Sequence, residues 1–108
     1  MPANFNRISS AEELDSLIDA SFDHPVVLFK HSNSCGISSD ILHQLGEIEG
    51  NINVIVIQQD RDISNLAADR TGHRHQSPQA FVLKDGKPVY HATHYGIDPR
   101  EISKKLII

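Results

Sequence analysis

Two apolar, β-branched runs with a helical stripe between them limit this chain more than any other feature. Val26, Val27, Leu28 and Phe29 follow Pro25 without polar alternation, and Ile52 to Ile57 forms a second such run. Short continuous apolar runs of this kind belong to strands covered on both faces. Between them, Ile37, Ile41, Leu42, Leu45 and Ile48 recur at helical spacing, and the stripe ends near Gly50. A strand, a helix and a second strand in this order imply a parallel pair with a crossover helix. The chain therefore needs helices on both faces of one sheet.

The remaining segments complete the order. Ser10 and Glu13 form a capping-box pattern ahead of Leu14, Leu17 and Ile18, which share one helical face. Asp62 is placed to cap a third helix from Ile63 to about Thr71, with Leu66 and Ala67 on its apolar side. Ser77-Pro78 then leads into a strand from Ala80 to Leu83. Asp85-Gly86 separates that strand from another, Lys87 to Thr93, and this pair is a strong hairpin signal. Pro99, after Asp98, suits the first turn of a last helix through Ile102 and Leu106. The order α-β-α-β-α-β-β-α predicts an α/β thioredoxin-like fold: a central mixed four-stranded sheet, with a parallel βαβ half and an antiparallel ββα half. Helices flank it, one of them an extra N-terminal helix. At 108 residues the chain is read as a single domain, 1–108, able to bury roughly 65% of its unfolded surface.

A single cysteine cannot close an internal disulfide, and a lone thiol suits a reducing compartment, so a cytoplasmic location is expected. Met1 to Arg7 lacks a basic segment followed by an apolar run, and no stretch nears the ~20 apolar residues that span a bilayer. No membrane association is expected. Net charge is −4, and the ten Lys and Arg are scattered, which argues against nucleic acid as a partner.

The single cysteine, Cys35, falls where the first apolar strand gives way to the amphipathic helix. Backbone N–H groups at a helix start have no intrahelical partner, and with the helix dipole they favour a thiolate over a thiol. Thiol exchange needs an attacking thiolate and access for a disulfide. Ser32, Asn33 and Ser34 are small and polar, Ser38 lies three residues on, and Lys30 and His31 add positive potential. The competing possibilities are a buried, inert cysteine and a Ser38 that is only a helical surface serine. His73, His75, His91 and His94 fall within 22 residues, but their spacing does not match a compact ligand set, so no metal site is expected.

Three segments together, Phe29-Lys30-His31-Ser32-Asn33-Ser34-Cys35-Gly36-Ile37-Ser38, Ser77-Pro78-Gln79 and His91-Ala92-Thr93-His94, resemble the monothiol bacilliredoxins, thioredoxin-fold proteins of the bacillithiol system. The similarity runs over nearly the whole chain. It implies that Cys35 is the catalytic cysteine that removes bacillithiol from mixed disulfides on client proteins. Thioredoxins resolve their mixed disulfide with a second cysteine three residues on. Ser38 occupies that place here, so another molecule, a low-molecular-weight thiol or a reductase, must resolve the adduct. The resemblance also implies a cis Pro78, with the backbone of Ser77 offered to the substrate chain. Gly36 and Ile37 open the helix beside the thiol. Lys30, His31, His91 and His94 are implied as groups that recognise the anionic thiol or steer protons. No tightly bound cofactor is implied; bacillithiol enters as co-substrate.

Two positions depart from the family pattern: Gly36 stands where Pro often follows the cysteine, and Tyr95 where Trp often follows the second histidine. Cys35-Gly36-Ile37-Ser38 also resembles the Cys-Gly-Phe-Ser motif of monothiol glutaredoxins, which carry a [2Fe–2S] cluster with glutathione. Those proteins follow the hairpin with a Gly-Gly-Cys-Asp-like segment, whereas this chain reads Thr93-His94-Tyr95-Gly96-Ile97-Asp98. A third alternative is a non-enzymatic thioredoxin-fold adaptor with a structural Cys35.

Overall fold

In a computed structural model, described for residues 3–107, the chain forms β1 (Asn4–Arg7), α1 (Ala11–Ala20), β2 (Val26–His31), α2 (Gly36–Leu45), β3 (Asn51–Val56), α3 (Arg61–Thr71), β4 (Gln79–Lys84), β5 (Lys87–Thr93) and α4 (Pro99–Leu106). A single 3-10 turn, His94–Gly96, joins β5 to α4. The first two residues of the Met1–Arg7 segment, and the last residue of the 1–108 domain, lie outside the described residues.

One mixed sheet runs in the order β1-β3-β2-β4-β5. The β1–β3 and β2–β3 pairs are parallel, while β2–β4 and β4–β5 are antiparallel. The sheet has five strands where the sequence predicts four. Asn4-Phe5-Asn6-Arg7 has all four residues exposed and no apolar alternation, so nothing in its pattern marks a strand. Its backbone makes it one: Asn4 to Arg7 pair with Asn51 to Val54, and the Ile8 N–H donates to the Val54 carbonyl (2.8 Å).

Strand alternation divides the core into two layers. Val27, Phe29, Val54, Ala80 and Val82 pack against Ile41 and Leu45 of α2 and Ile102 of α4. Val26, Leu28, Ile55, Phe81 and Leu83 pack on the other side against Leu14 and Leu17 of α1 and Ile63 and Ala67 of α3. Burial on both faces explains why β2 reads as an unbroken apolar run.

Local signals act mostly as their chemistry dictates. Ser10 caps α1, its Oγ accepting the Glu13 N–H (3.1 Å). The Glu13 carboxylate reaches back one residue further than a capping box requires, accepting the Ser9 N–H (2.9 Å). The Asp85-Gly86 turn takes left-handed φ values of 54° and 78°, the conformation that Asp-Gly hairpins favour. A Cβ at Gly86 would also lie 2.8 Å from the tip of the exposed Phe22 ring, which would have to turn aside. Helix α3 corrects the sequence expectation. Its N-cap is Asp60, not Asp62, and Asp62 lies in the first turn. The Asp60 carboxylate makes no capping bond; it holds the Arg7 guanidinium instead, with contacts of 3.1 and 3.3 Å.

Candidate active site

Cys35 is the N-cap of α2, with extended backbone (φ −114°, ψ 117°), and is half-buried. The N–H groups of Gly36, Ile37 and Ser38 are the ones a helix start leaves without intrahelical acceptors, while the Ser39 N–H donates to the Cys35 carbonyl (3.1 Å). Gly36 is exposed, and a Cβ there would meet nothing within 4 Å. The sulfur therefore sits beside open space and the positive end of a helix.

Ser38 is fully buried. Its Oγ accepts the Ser32 N–H (3.0 Å) and hydrogen-bonds His31 Nδ1 (2.7 Å), so the hydroxyl ties α2 to the end of β2 and to the loop before Cys35. His31 stacks on Phe29 and is buried; burial lowers its pKa, opposed by the hydrogen bond of Asn33.

The Ser32–Ser34 loop has a second anchor that sequence inspection does not find. Gln58, two residues past the end of β3, accepts the Asn33 N–H at Oε1 (3.0 Å). Its Nε2 donates to Ser32 Oγ (2.8 Å) and Ser34 Oγ (3.1 Å). The available signal was positional: ligand-handling groups of α/β sheets gather beyond the carboxyl ends of the strands, where Gln58 lies.

The Ser77–Pro78 peptide is cis, and Pro78 is buried. Ser77 Oγ is buried without a hydrogen-bond partner among the described residues. The Pro78 carbonyl accepts the His94 N–H (3.0 Å), and His94 takes a left-handed φ of 54°. This bond sets the His94–Gly96 turn against α2. There the exposed Tyr95 donates its hydroxyl to the Asp40 carboxylate (3.1 Å). That hydrogen bond, with smaller contributions from desolvation and the Asp40 charge, raises the Tyr95 pKa.

Lys30 and His91 lie elsewhere. Along β2 the side chains alternate, so Lys30 points to the α1–α3 layer, opposite to His31 and α2. It is fully buried, with Nζ donating to the Ser64 carbonyl of α3 (2.9 Å) and lying 3.3 Å from His75 Nδ1. Burial lowers its pKa to about 8. His75 also bonds Ser64 Oγ (3.0 Å), and its pKa is lowered by burial and then by the charges of Lys30 and Arg61. His91 pairs with Phe81 across the hairpin, contacts Gln79 Nε2 through Nε2 (2.9 Å) and stacks on His73 with ring centroids 3.9 Å apart. Burial lowers its pKa, and His73 and Lys30 add to the effect. The fold thus gathers Cys35, Gly36, Ile37, Ser38 and His31 through β2 and α2, and Ser77, Pro78 and His94 through the Pro78–His94 bond. It sends Lys30 and His91 to the opposite face of the sheet.

A family model described as monothiol bacilliredoxin BrxC matches residues 6–102. The chain belongs to the monothiol bacilliredoxins. As in the sequence resemblance, this bacilliredoxin has one cysteine and a serine three residues after it. Among solved structures, a candidate oxidoreductase with a thioredoxin fold is similar at 27% identity and TM-score 0.85, over 94% of this chain and 92% of that one. A thioredoxin from Malassezia sympodialis matches at 14% identity and TM-score 0.73, over 99% and 92%. One from Nicotiana alata matches at 15% and 0.74, over 99% and 93%. The two thioredoxins speak to the fold alone. Family and fold together support a thiol redox function for this bacilliredoxin. None of its described helices is long and apolar enough to cross a membrane.

Proposed function

We propose that this protein is a cytoplasmic thiol–disulfide oxidoreductase that removes bacillithiol from mixed disulfides on client proteins. The observation that carries this reading is the half-buried Cys35 at the start of α2, with Ser38 at the place where thioredoxins hold a second cysteine. The Cys35 thiolate attacks the bacillithiol sulfur of the client disulfide. The client–bacillithiol S–S bond breaks, and the client leaves as a thiolate that takes a proton from solvent. A new Cys35–bacillithiol disulfide holds both sulfurs at the oxidation level of the one consumed. A second thiol, from a low-molecular-weight thiol or a reductase, then attacks the bacillithiol sulfur and frees Cys35.

Several features support the reading. The first-turn N–H groups offer stabilisation to negative charge on sulfur. The open space around Gly36 admits a bulky disulfide, and the backbone beside Ser77 and the cis Pro78 offers an extended client segment an edge to pair with. His94, held to Pro78, is the histidine we assign to the thiol ligand, with Lys30 and His91 acting through the packing behind the site.

Intact mass of the reduced protein, mixed with a bacillithiolated model protein and in parallel with its glutathionylated equivalent, tests the proposal. A single bacillithiol adduct, formed faster than the glutathione one and absent in Cys35→Ser, is expected. Faster glutathione transfer would favour the glutaredoxin-like alternative, and no adduct from either would favour an adaptor.

A further inference from the structure

Gln58 is exposed and comes from a different part of the chain than the loop it holds. Its side-chain amide uses both ends: Oε1 takes the Asn33 N–H, and Nε2 gives hydrogen bonds to Ser32 Oγ and Ser34 Oγ. Three successive residues immediately before the cysteine are thereby tied to one side chain. Ser32 Oγ and Ser34 Oγ also approach each other at 3.3 Å, and the Cys35 N–H donates to the Ser32 carbonyl (3.4 Å), so the amide's hold passes to the cysteine backbone.

The platform under Gln58 is itself fixed. The Ile57 N–H donates to the His31 carbonyl (2.9 Å), carrying the β2–β3 ladder to the residue before Gln58. Beyond it, the Gln59 and Asp60 N–H groups both donate to the Val56 carbonyl, and the Asp60 carboxylate is clamped by Arg7 of β1. A buried anchor, Ser38, holds the same loop from α2 through the Ser32 N–H. The loop is thus held from two elements, and only the Gln58 side is open to solvent.

We infer that Gln58 is a positioning residue of the thiol-exchange reaction, fixing the Ser32–Ser34 loop so that the Cys35 sulfur meets an incoming disulfide along the required line. In-line attack of sulfur on a disulfide is sensitive to orientation. Alkylation is in-line too, but a small reagent such as iodoacetamide turns freely to meet a half-buried thiol and so depends less on how the loop holds the sulfur. Loosening the loop therefore slows disulfide exchange more than alkylation. The inference rests on the thiol-exchange reading but not on bacillithiol as the thiol.

The test compares wild type, Gln58→Leu and Gln58→Glu. The first substitution removes all three hydrogen bonds. The second keeps an acceptor for the Asn33 N–H and accepts from both serine hydroxyls. Rates are measured with a chromogenic aryl disulfide and with iodoacetamide across a pH series, and circular dichroism verifies folding. For Gln58→Leu the expected result is a roughly tenfold fall in the pH-independent exchange rate, alkylation within about twofold of wild type, and recovery to within about threefold in Gln58→Glu. Unchanged exchange overturns the inference, as does alkylation falling in step with exchange or a Gln58→Glu rate as low as that of Gln58→Leu. If wild type exchanges with the aryl disulfide but not with the bacillithiolated protein, bacillithiol transfer fails while the Gln58 result stands. If wild type exchanges with neither, both fail.

Discussion

The Ser38 hydroxyl is the shared partner of the Ser32 N–H and His31 Nδ1, and all three residues are buried. Ser38→Ala leaves both groups without that partner, and a buried polar group deprived of its partner costs about 1–3 kcal/mol. Urea unfolding is expected to show that loss, and a midpoint equal to wild type would remove Ser38 from the structural role given it here. Lys30 follows the opposite logic. Its folded pKa of about 8 lies below its ordinary 10.5, so between these values the unfolded chain binds more protons. Stability from this group therefore rises with pH across that window. From about pH 7.5 to 9.5, wild type should gain about 1–2 kcal/mol relative to Lys30→Met in paired unfolding curves. Parallel pH dependence of the two proteins would contradict a buried, depressed amine. Cys35 was legible in the sequence because it is unique and stands between a strand and a helix. The separation of Lys30 from His31 was not, since neighbours along a strand face opposite layers and only packing decides which layer holds the chemistry.

At the scale of elements, the start of α2 is where this chain departs from the pattern of its family. Gly36 occupies the first helical position, where the N–H lacks an intrahelical acceptor, and the space around it is open. Cys35 before it is already extended, the conformation that a following proline demands. Gly36→Pro is therefore expected to stabilise the fold by about 0.4–1 kcal/mol, chiefly by restricting the unfolded chain. Thermal unfolding reads this directly, and a lowered midpoint would mean that the Gly36 backbone cannot take proline's φ. The helices and central strands were legible because their apolar periodicity records which faces they bury. Strand β1 was not, because an exposed edge strand is made by backbone pairing, which leaves no trace in side-chain pattern.

Across the whole molecule, histidines are concentrated around the β2, β4 and β5 end of the sheet. His31, His75 and His91 all have pKa values lowered first by burial. Below their ordinary value of 6.5 the unfolded chain takes up protons that the folded one resists, so stability falls as pH falls through this range. Urea midpoints at about pH 7 and pH 5.5 should decrease in that order, and equal midpoints would show that these rings are solvated. By itself, the sequence determined the α/β class, the parallel βαβ half, the hairpin and the single thiol. Each of these is encoded locally, in periodicity, turn chemistry or the count of one residue type. Tertiary structure alone decided the fifth strand, the Arg7–Asp60 clamp, the placing of Lys30 and His91 behind the sheet, and the grip of Gln58 on the loop before Cys35. All four join residues distant in sequence through backbone pairing or side-chain geometry, and such contacts exist only once the chain has closed on itself.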